Sequence, residues 1–206
     1  MNDKDKQPTS GFVSDIGDES DFNSTRHNGG FTNISEAYVS KSGFTRMFSA
    51  VRYGKRYMLK CLKPDFAYTP IYRQALMKEF EIGLQLDHPN ICRTISMEPV
   101  GELGDCIVME YVDGETLEAA VKGGNMTEDK VRKIASQLLG AMEYMHAKQT
   151  VHRDIKPSNI MLTHRGGDVK LIDFGLSDSE TFCVLKIPAG TIGYMAPEQL
   201  QPGAKS

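Results

Sequence analysis

Three short strings in the second half of the chain carry residues that could do chemistry together. VHRDIKPSNIML, LIDFGLS and GTIGYMAPEQ follow one another, and the first two place Asp154, Asn159 and Asp173 at spacings of five and fourteen. Carboxylate and amide oxygens are the hard ligands that Mg²⁺ prefers, and Lys156 could neutralise an anionic group. Each string alone is weak evidence, because an isolated aspartate is more often a turn or helix-cap residue. The combination in this order favours one chemical site.

Hydrophobic patterning predicts a β-rich first half. Between Ile34 and Leu62 apolar and polar residues alternate between turns, which predicts three antiparallel strands. A helix is predicted after Pro70, where apolar residues recur near helical spacing as far as the sequence DHPN. Two further strands are predicted within residues 92–100 and 106–112, on either side of a glycine-containing turn.

The second half is predicted to be mainly helical. Thr127 is a suitable N-cap, and two acidic residues follow it in the first turn. Apolar residues then recur every three or four positions to about His146, which predicts an amphipathic helix. Two short strands are predicted at residues 159–163 and 168–173. These patterns indicate an α+β fold with a tight link near residues 111–114.

Composition excludes several classes of protein. The formal net charge of −3 gives no electrostatic basis for binding nucleic acid, and no apolar run reaches the roughly 18 residues of a membrane helix. Four cysteines without a CxxC pair favour free thiols in a reducing, cytoplasmic setting over disulfides or zinc. Residues 1–33 are rich in polar residues and glycine, so we predict a disordered N-terminal tail there.

Taken together, the three strings resemble those of a eukaryotic-type protein kinase domain, from about Ile34 to the chain end. DIKPSN and GTIGYMAPE resemble the serine/threonine branch rather than the tyrosine branch. The resemblance implies a two-lobed α+β fold with an N-lobe at residues 34–110, a hinge at 111–114 and a mainly helical, incomplete C-lobe at 115–206. It also implies phosphoryl transfer from Mg-ATP to serine or threonine hydroxyls of protein substrates.

The resemblance assigns roles to individual residues. Asp154 would orient the substrate hydroxyl, Lys156 would lie near the γ-phosphate, and Thr191 would brace both. Asn159 and Asp173 would be the metal ligands. Lys60 in YMLKCL would contact the α- and β-phosphates and would pair with Glu79, nineteen residues later. His152 and Phe174 would belong to the packed core between the lobes.

A larger set of residues would surround the nucleotide in a protein of this family. Backbone groups of Glu110 and Val112 would bind the adenine edge, and Met109 would close the rear of the pocket. Several methionines would sandwich the purine, although plain core packing is an equally valid interpretation of them. The full predicted set is Val39, Ser40, Lys41, Ser42, Gly43, Phe44, Thr45, Met47, Met58, Lys60, Met109, Glu110, Val112 and Met161.

The sequence departs from the family pattern at two places in its first half. The three glycines of the phosphate loop are replaced by Ser40, Ser42 and Thr45. Because glycine lets backbone N–H groups approach a phosphate, we expect a working lid with weaker ATP affinity. Gly83 stands one turn after Glu79, where the family has a bulky apolar residue. We therefore expect underfilled packing and a mobile helix that needs an activating partner.

The chain ends at APEQLQPGAKS, where a full domain of this family continues with several helices. We therefore expect an incomplete C-lobe that exposes much of the apolar side of the Thr127–His146 helix. A non-catalytic nucleotide-binding scaffold is the alternative function, produced by the truncation and the altered lid.

Overall fold

The structure, a computed structural model, describes residues 28–39, 43–124, 126–174, 178–179, 191–195 and 197. An antiparallel five-stranded sheet in the order β1-β2-β3-β5-β4 forms the first half. The strands are β1 Thr32–Val39, β2 Thr45–Arg52, β3 Lys55–Leu62, β4 Thr94–Pro99 and β5 Asp105–Glu110. The five strands predicted for this half are confirmed, with ends that differ by a few residues.

Alternation along the strands gives this sheet two apolar faces. Helix α1, Pro70–Leu84, packs against the face that we call the inner face. Buried residues of the inner face and of α1 are Leu62, Leu76, Cys92, Ile107 and Met109. The buried residues of the opposite, outer face are Phe31, Phe48, Ala50, Leu59, Cys61, Val100, Cys106 and Val108. Lys60 lies between Leu59 and Cys61, so it points to the inner face beneath α1.

The folded region begins before the predicted boundary at residue 33. Phe31 is buried on the outer face, where its ring meets Tyr57 edge-on with ring centroids 5.8 Å apart. The guanidinium of Arg52 lies 4.1 Å from the centre of the Phe31 ring and pairs with Glu98 at 2.9 Å. The predicted tail is therefore wrong for its last residues, because one phenylalanine among polar residues gives no periodic signal. Residues 1–27 lie outside the described residues.

A long helix and two small sheets form the second half. Helix α3, Glu128–Ala147, begins after Thr127, whose hydroxyl accepts a hydrogen bond from the backbone N–H of Lys130, as expected for an N-cap. The other elements are β6 Gly114–Thr116, α2 Leu117–Lys122, β7 Thr150–Val151, β8 Ile160–Thr163, β9 Val169–Leu171 and β10 Asp178–Ser179. The strand order is β6-β8-β9 in one small sheet, and β10 pairs with β7 in the other. The predicted helix and the strands β8 and β9 are confirmed.

The buried side of α3 is narrower than its apolar pattern. Ile134, Ala141 and Met145 are buried, whereas Val131 and Leu139 are more than half exposed.

Within the described ranges, no helix combines the length and the apolar composition needed to cross a bilayer.

Strand β9 joins the two halves of the chain. The backbone N–H of Cys92 donates to the carbonyl oxygen of Leu171 at 2.8 Å, and the N–H of Leu171 donates to the carbonyl oxygen of Asn90 at 2.8 Å. One buried core continues across this junction, comprising Ile82, Leu86, Ile91, Ile134, Ala141, Met145, Ile160, Val169, Leu171 and Phe174. The two halves therefore share packing where β9 runs into the segment that contains Asp173.

Candidate active site

Lys60 lies between two carboxylates. Its Nζ is 2.6 Å from Glu79 Oε1 on α1 and 2.7 Å from Asp173 Oδ1 just after β9. Lys60 and Glu79 are both about 5% exposed, whereas the Asp173 side chain is 44% exposed. Burial alone would lower the pKa of Lys60, but the two carboxylates raise it above its ordinary value. Lys60 is therefore charged, and α1 is held against the sheet through Glu79.

A second network surrounds Asp154. Its Oδ1 accepts hydrogen bonds from the Thr191 backbone N–H at 3.1 Å and hydroxyl at 2.8 Å, and its Oδ2 accepts one from Asn159 Nδ2 at 2.9 Å. Lys156 Nζ lies 2.6 Å from Asp154 Oδ2 and donates to the Thr191 hydroxyl oxygen at 2.8 Å. Both carboxylate oxygens are thus occupied, so the orientation of the Asp154 side chain is fixed.

Local backbone geometry aims these side chains. Arg153 and Asp173 have φ values of 66° and 67°, in the left-handed region that non-glycine residues seldom adopt. Pro157 opens a single 3₁₀ turn that ends at Asn159, immediately before β8. The carbonyl oxygen of Asn159 accepts the N–H of Ile172 at 2.9 Å, which ties the turn to the segment before Asp173. Unusual backbone angles of this kind cluster at functional sites.

His152 and Phe174 support the site from beneath. Their rings meet edge-on with centroids 5.4 Å apart, and both side chains are buried. His152 Nε2 is 3.2 Å from the carbonyl oxygen of Ile172. Burial lowers the pKa of His152, so the ring is neutral near neutral pH. Both residues lie in the core, where the sequence places them, and they brace the segments that carry Asp154 and Asp173.

A group of predicted nucleotide residues lines the inner face beside Lys60. Met58 and Met109 are directly opposite each other on β3 and β5, and Met47 is opposite Lys60. Phe44, Met47, Met58 and Val112 pack against the buried cluster that contains Met109. Core packing of these side chains is thus observed, and contact with a purine stays a prediction.

The remaining predicted nucleotide residues are spread around this group. Met161 lies in the second half, on β8 opposite Lys170. The Glu110 side chain is already engaged, since its Oε1 accepts from Lys170 Nζ at 2.6 Å and from the Arg93 N–H at 3.0 Å. The Glu110 backbone N–H donates to the Arg93 carbonyl oxygen at 3.0 Å and its carbonyl oxygen accepts from Cys92 Sγ at 3.8 Å, so binding of adenine by this backbone stays a prediction.

The predicted phosphate lid is described only at its two ends. Val39 is exposed at the end of β1, and Thr45 begins β2. Phe44 packs on Tyr72 of α1, with ring centroids 5.1 Å apart, and its carbonyl oxygen accepts the N–H of Lys63 at 2.9 Å. Gly43 lies within the described residues, whereas Ser40, Lys41 and Ser42 lie outside them.

Residues 41–206 match the sequence model of the family described as "Protein kinase domain". The chain belongs to the protein kinase family. It is 41% identical over 150 residues to mitogen-activated protein kinase kinase 9 of Arabidopsis thaliana. The aligned region covers 69% of this chain and 46% of that protein. It is 36% identical over 151 residues to the serine/threonine-protein kinase PrkC of Bacillus subtilis, covering 70% of this chain and 23% of that protein.

A further similarity, 34% identity over 167 residues, is to serine/threonine-protein kinase 36 of Pongo abelii, covering 79% of this chain and 12% of that protein. The chain thus spans less than half the length of these relatives. The α+β fold and the family that the sequence indicates are confirmed.

The structure corrects the expectation about Gly83. Gly83 packs directly against Thr94 of β4, and both residues are buried. A Cβ placed on Gly83 would overlap the Thr94 hydroxyl oxygen and lie 3.1 Å from Thr94 Cβ. The position is therefore filled rather than underfilled, and α1 holds Glu79 against Lys60 within this chain. An activating partner on α1 stays a prediction, but underfilled packing at Gly83 no longer supports it.

Thr94 is the site-supporting residue that the sequence did not reveal. It stands at the start of β4 in a pattern that predicts only a strand. Its contact with Gly83 joins elements that are separate in the sequence, and a polar residue facing a glycine gives no hydrophobic signal. The pair of small residues at positions 83 and 94 could have suggested a close helix-to-strand approach.

Proposed function

We propose that this chain transfers the γ-phosphoryl group of Mg-ATP to serine or threonine hydroxyls of a protein substrate. One observation carries the proposal: the Lys60–Glu79–Asp173 ion pairs and the Asp154 network are both formed, and the backbone hydrogen bond from Ile172 to Asn159 links the segments that carry them. Phosphoryl transfer depends mainly on positioning and charge stabilisation, which such a preorganised polar site supplies.

The residues present fit a magnesium–nucleotide complex. Asn159 uses Nδ2 as donor in both of its bonds to Asp154, so its amide oxygen is the atom that it offers a cation. Asp173 offers a partly exposed carboxylate nearby. An amide oxygen and a carboxylate are the hard ligands that Mg²⁺ takes. When bound, the metal would supply charge neutralisation on the phosphates.

The other side chains would position and polarise the reactants. Lys60 would hold the α- and β-phosphates, and Glu79 would keep it in place from the buried side. Asp154 would orient the substrate hydroxyl and accept its proton, with Thr191 fixing the carboxylate. Lys156, beside Asp154, would stabilise charge that develops on the transferred group. The cytoplasmic location and the division into lobes at residues 111–114 stay predictions.

Paired binding and transfer measurements test the proposal. Thermal shift with Mg-ATP and radiolabel transfer to serine, threonine and tyrosine peptide pools would be measured for the wild type, Lys60→Met and Asp154→Asn. We expect Lys60→Met to lose most of the transfer, and Asp154→Asn to lose transfer while keeping the thermal shift. Lys122→Met is the matched control, because Lys122 is exposed and pairs with Glu118 on its own helix.

The same measurements distinguish the alternative function. Binding of Mg-ATP without transfer, both in this chain and in one extended past Ser206, would favour a nucleotide-binding scaffold. Transfer confined to tyrosine peptides would contradict the serine/threonine assignment.

A further inference from the structure

Two buried cysteines face each other on the outer face of the sheet. Cys61 of β3 and Cys106 of β5 are register partners in an antiparallel pair, and neither is accessible to solvent. Opposed residues of antiparallel strands have Cα atoms about 4.5 or 5.5 Å apart. Both separations lie within the roughly 4.4–6.8 Å that a disulfide spans. The strand register therefore places the two Cα atoms within the range that a disulfide spans.

A cation stands on the other side of Cys61. Arg46 of β2 is the register partner of Cys61, so Arg46, Cys61 and Cys106 form a row across three strands. Within the described part of the chain, the Arg46 Nε is a buried nitrogen without a hydrogen-bond partner. A buried donor of this kind needs an explanation, and a thiolate at Cys61 would supply a nearby negative charge for it.

The electrostatic environment distinguishes the two thiols. The adjacent Cys106 side chain and the charge of Arg46 lower the pKa of Cys61 to about 7, although burial opposes this, while the Cys106 thiol donates to the Gly104 carbonyl oxygen at 3.4 Å. The same contact with Cys61, together with burial, raises the pKa of Cys106. Cys61 is thus the sulfur that ionises first, and thiolates are the reactive form.

We propose that Cys61 and Cys106 form an oxidisable dithiol that a peroxide converts reversibly into a disulfide. The Cys61 thiolate attacks a peroxide oxygen and the O–O bond breaks, which gives a sulfenic acid and a hydroxide ion that takes up the proton released by the Cys61 thiol and becomes water. The Cys106 sulfur then attacks the Cys61 sulfur, the S–S bond forms, and the sulfenic oxygen leaves as a second water. Two thiols and one hydrogen peroxide thus give one disulfide and two waters.

Burial shapes this chemistry in two ways. Peroxide is small enough to reach the pair during local opening of the sheet, whereas bulky thiol reagents are excluded from the native state. Once Cys61 is a sulfenic acid, the interaction with the Cys61 thiolate that raises the pKa of Cys106 is gone, and burial is the main remaining cause of that raised pKa. The resulting link lies one residue from Lys60 and closes the chain segment that contains α1 and β4.

Mass mapping of the whole chain tests the proposal. The protein is treated with hydrogen peroxide, quenched, alkylated after unfolding and digested without reduction. We expect the intact mass, measured before alkylation, to fall by about 2 Da through loss of the two thiol hydrogens, and the digest to contain a linked peptide pair with Cys61 and Cys106. The oxidised protein should melt at a higher temperature, and dithiothreitol should reverse both changes.

Variants make the test specific. A Cys92→Ser/Cys183→Ser protein keeps only the proposed pair and should lose the same mass. Cys61→Ala and Cys106→Ala should each abolish the intramolecular link. Cys92 serves as the internal control, because it is buried and its pKa is raised to about 12, chiefly by desolvation. An unchanged mass in the wild type, or a link that joins two chains or involves Cys92, would overturn the proposal irrespective of how the variants fold.

Discussion

A methyl group added at Gly83 provides the sharpest test of how α1 is positioned. In Gly83→Ala, the new Cβ would overlap the Thr94 hydroxyl oxygen and lie 3.1 and 3.6 Å from Thr94 Cβ and Cγ2. Threonine is β-branched and stiff, so rotation of its side chain cannot clear all three contacts. Relief requires α1 to move away from β4, and Glu79 lies one turn earlier on α1.

The magnitude follows from two opposing contributions. Adding a methyl group to a packed core costs about 1–3 kcal/mol, whereas alanine gains about 1 kcal/mol over glycine in a helix interior. We expect a net loss of about 1–2 kcal/mol in the free energy of unfolding. Phosphoryl transfer should fall as well, because a displaced Glu79 weakens its 2.6 Å contact with Lys60.

Urea unfolding and a transfer assay measure both effects, with two further proteins as comparisons. Gly140→Ala on α3 is the matched control, since a Cβ there meets no atom within 4 Å and should stabilise the protein by up to about 1 kcal/mol. Thr94→Ala combined with Gly83→Ala should recover stability and activity, because the overlapping atoms are removed. If Gly83→Ala is as stabilising as Gly140→Ala, the close contact does not position α1.

Three further predictions concern the site and its support. Thr191→Ala should lower kcat about tenfold or more with little change in KM for ATP, since Asp154 loses a 2.8 Å hydrogen bond. Thr191→Ser keeps the hydroxyl and should restore kcat, and steady-state kinetics measure both variants. Phe31→Ala should cost about 3–5 kcal/mol in urea unfolding, and an unaffected midpoint would contradict the structural role of the N-terminal segment. Burial lowers the pKa of His152, so the folded protein disfavours the protonated ring. The free energy of unfolding should therefore be highest above pH about 6.5, where the ring is neutral in both states, and should fall as the pH drops below that value. A series of melting temperatures from pH 8 to 5 should show this loss in the wild type and a smaller one in His152→Phe.

Local sequence patterns predicted much of the fold, because hydrophobic periodicity and helix capping each depend on residues that are close together in the sequence. The alternation around Lys60 and the N-cap at Thr127 each depend on residues within one element, and both elements are present. Asp154, Asn159 and Asp173 could be grouped for a different reason. Their residue types and spacing match a motif set, and the structure brings Asn159 and Asp154 to within 2.9 Å.

Contacts between distant elements were not predictable in the same way. The Gly83–Thr94 contact and the burial of Phe31 each depend on how close two elements come in space. From the sequence alone, a glycine inside a helix predicts only a lower helix stability. In the structure, Gly83 also permits close packing of α1 against Thr94. The Cys61–Cys106 pairing likewise requires the strand order β3-β5, which skips β4. Sequence spacing carries no information about such a crossover.

Burial also determines which partner of Lys60 is the durable one. Glu79 is about 5% exposed, so separating it from Lys60 would leave two buried charges uncompensated, which is strongly unfavourable. The Asp173 side chain is 44% exposed, and water can replace Lys60 as its partner at little cost. The Lys60–Glu79 pair is therefore the harder of the two to separate, and a nucleotide bound as proposed would meet a lysine that Glu79 already orients. If the packing of Gly83 on Thr94 sets the position of α1, as the Gly83→Ala prediction tests, it also sets the position of Glu79 relative to Lys60.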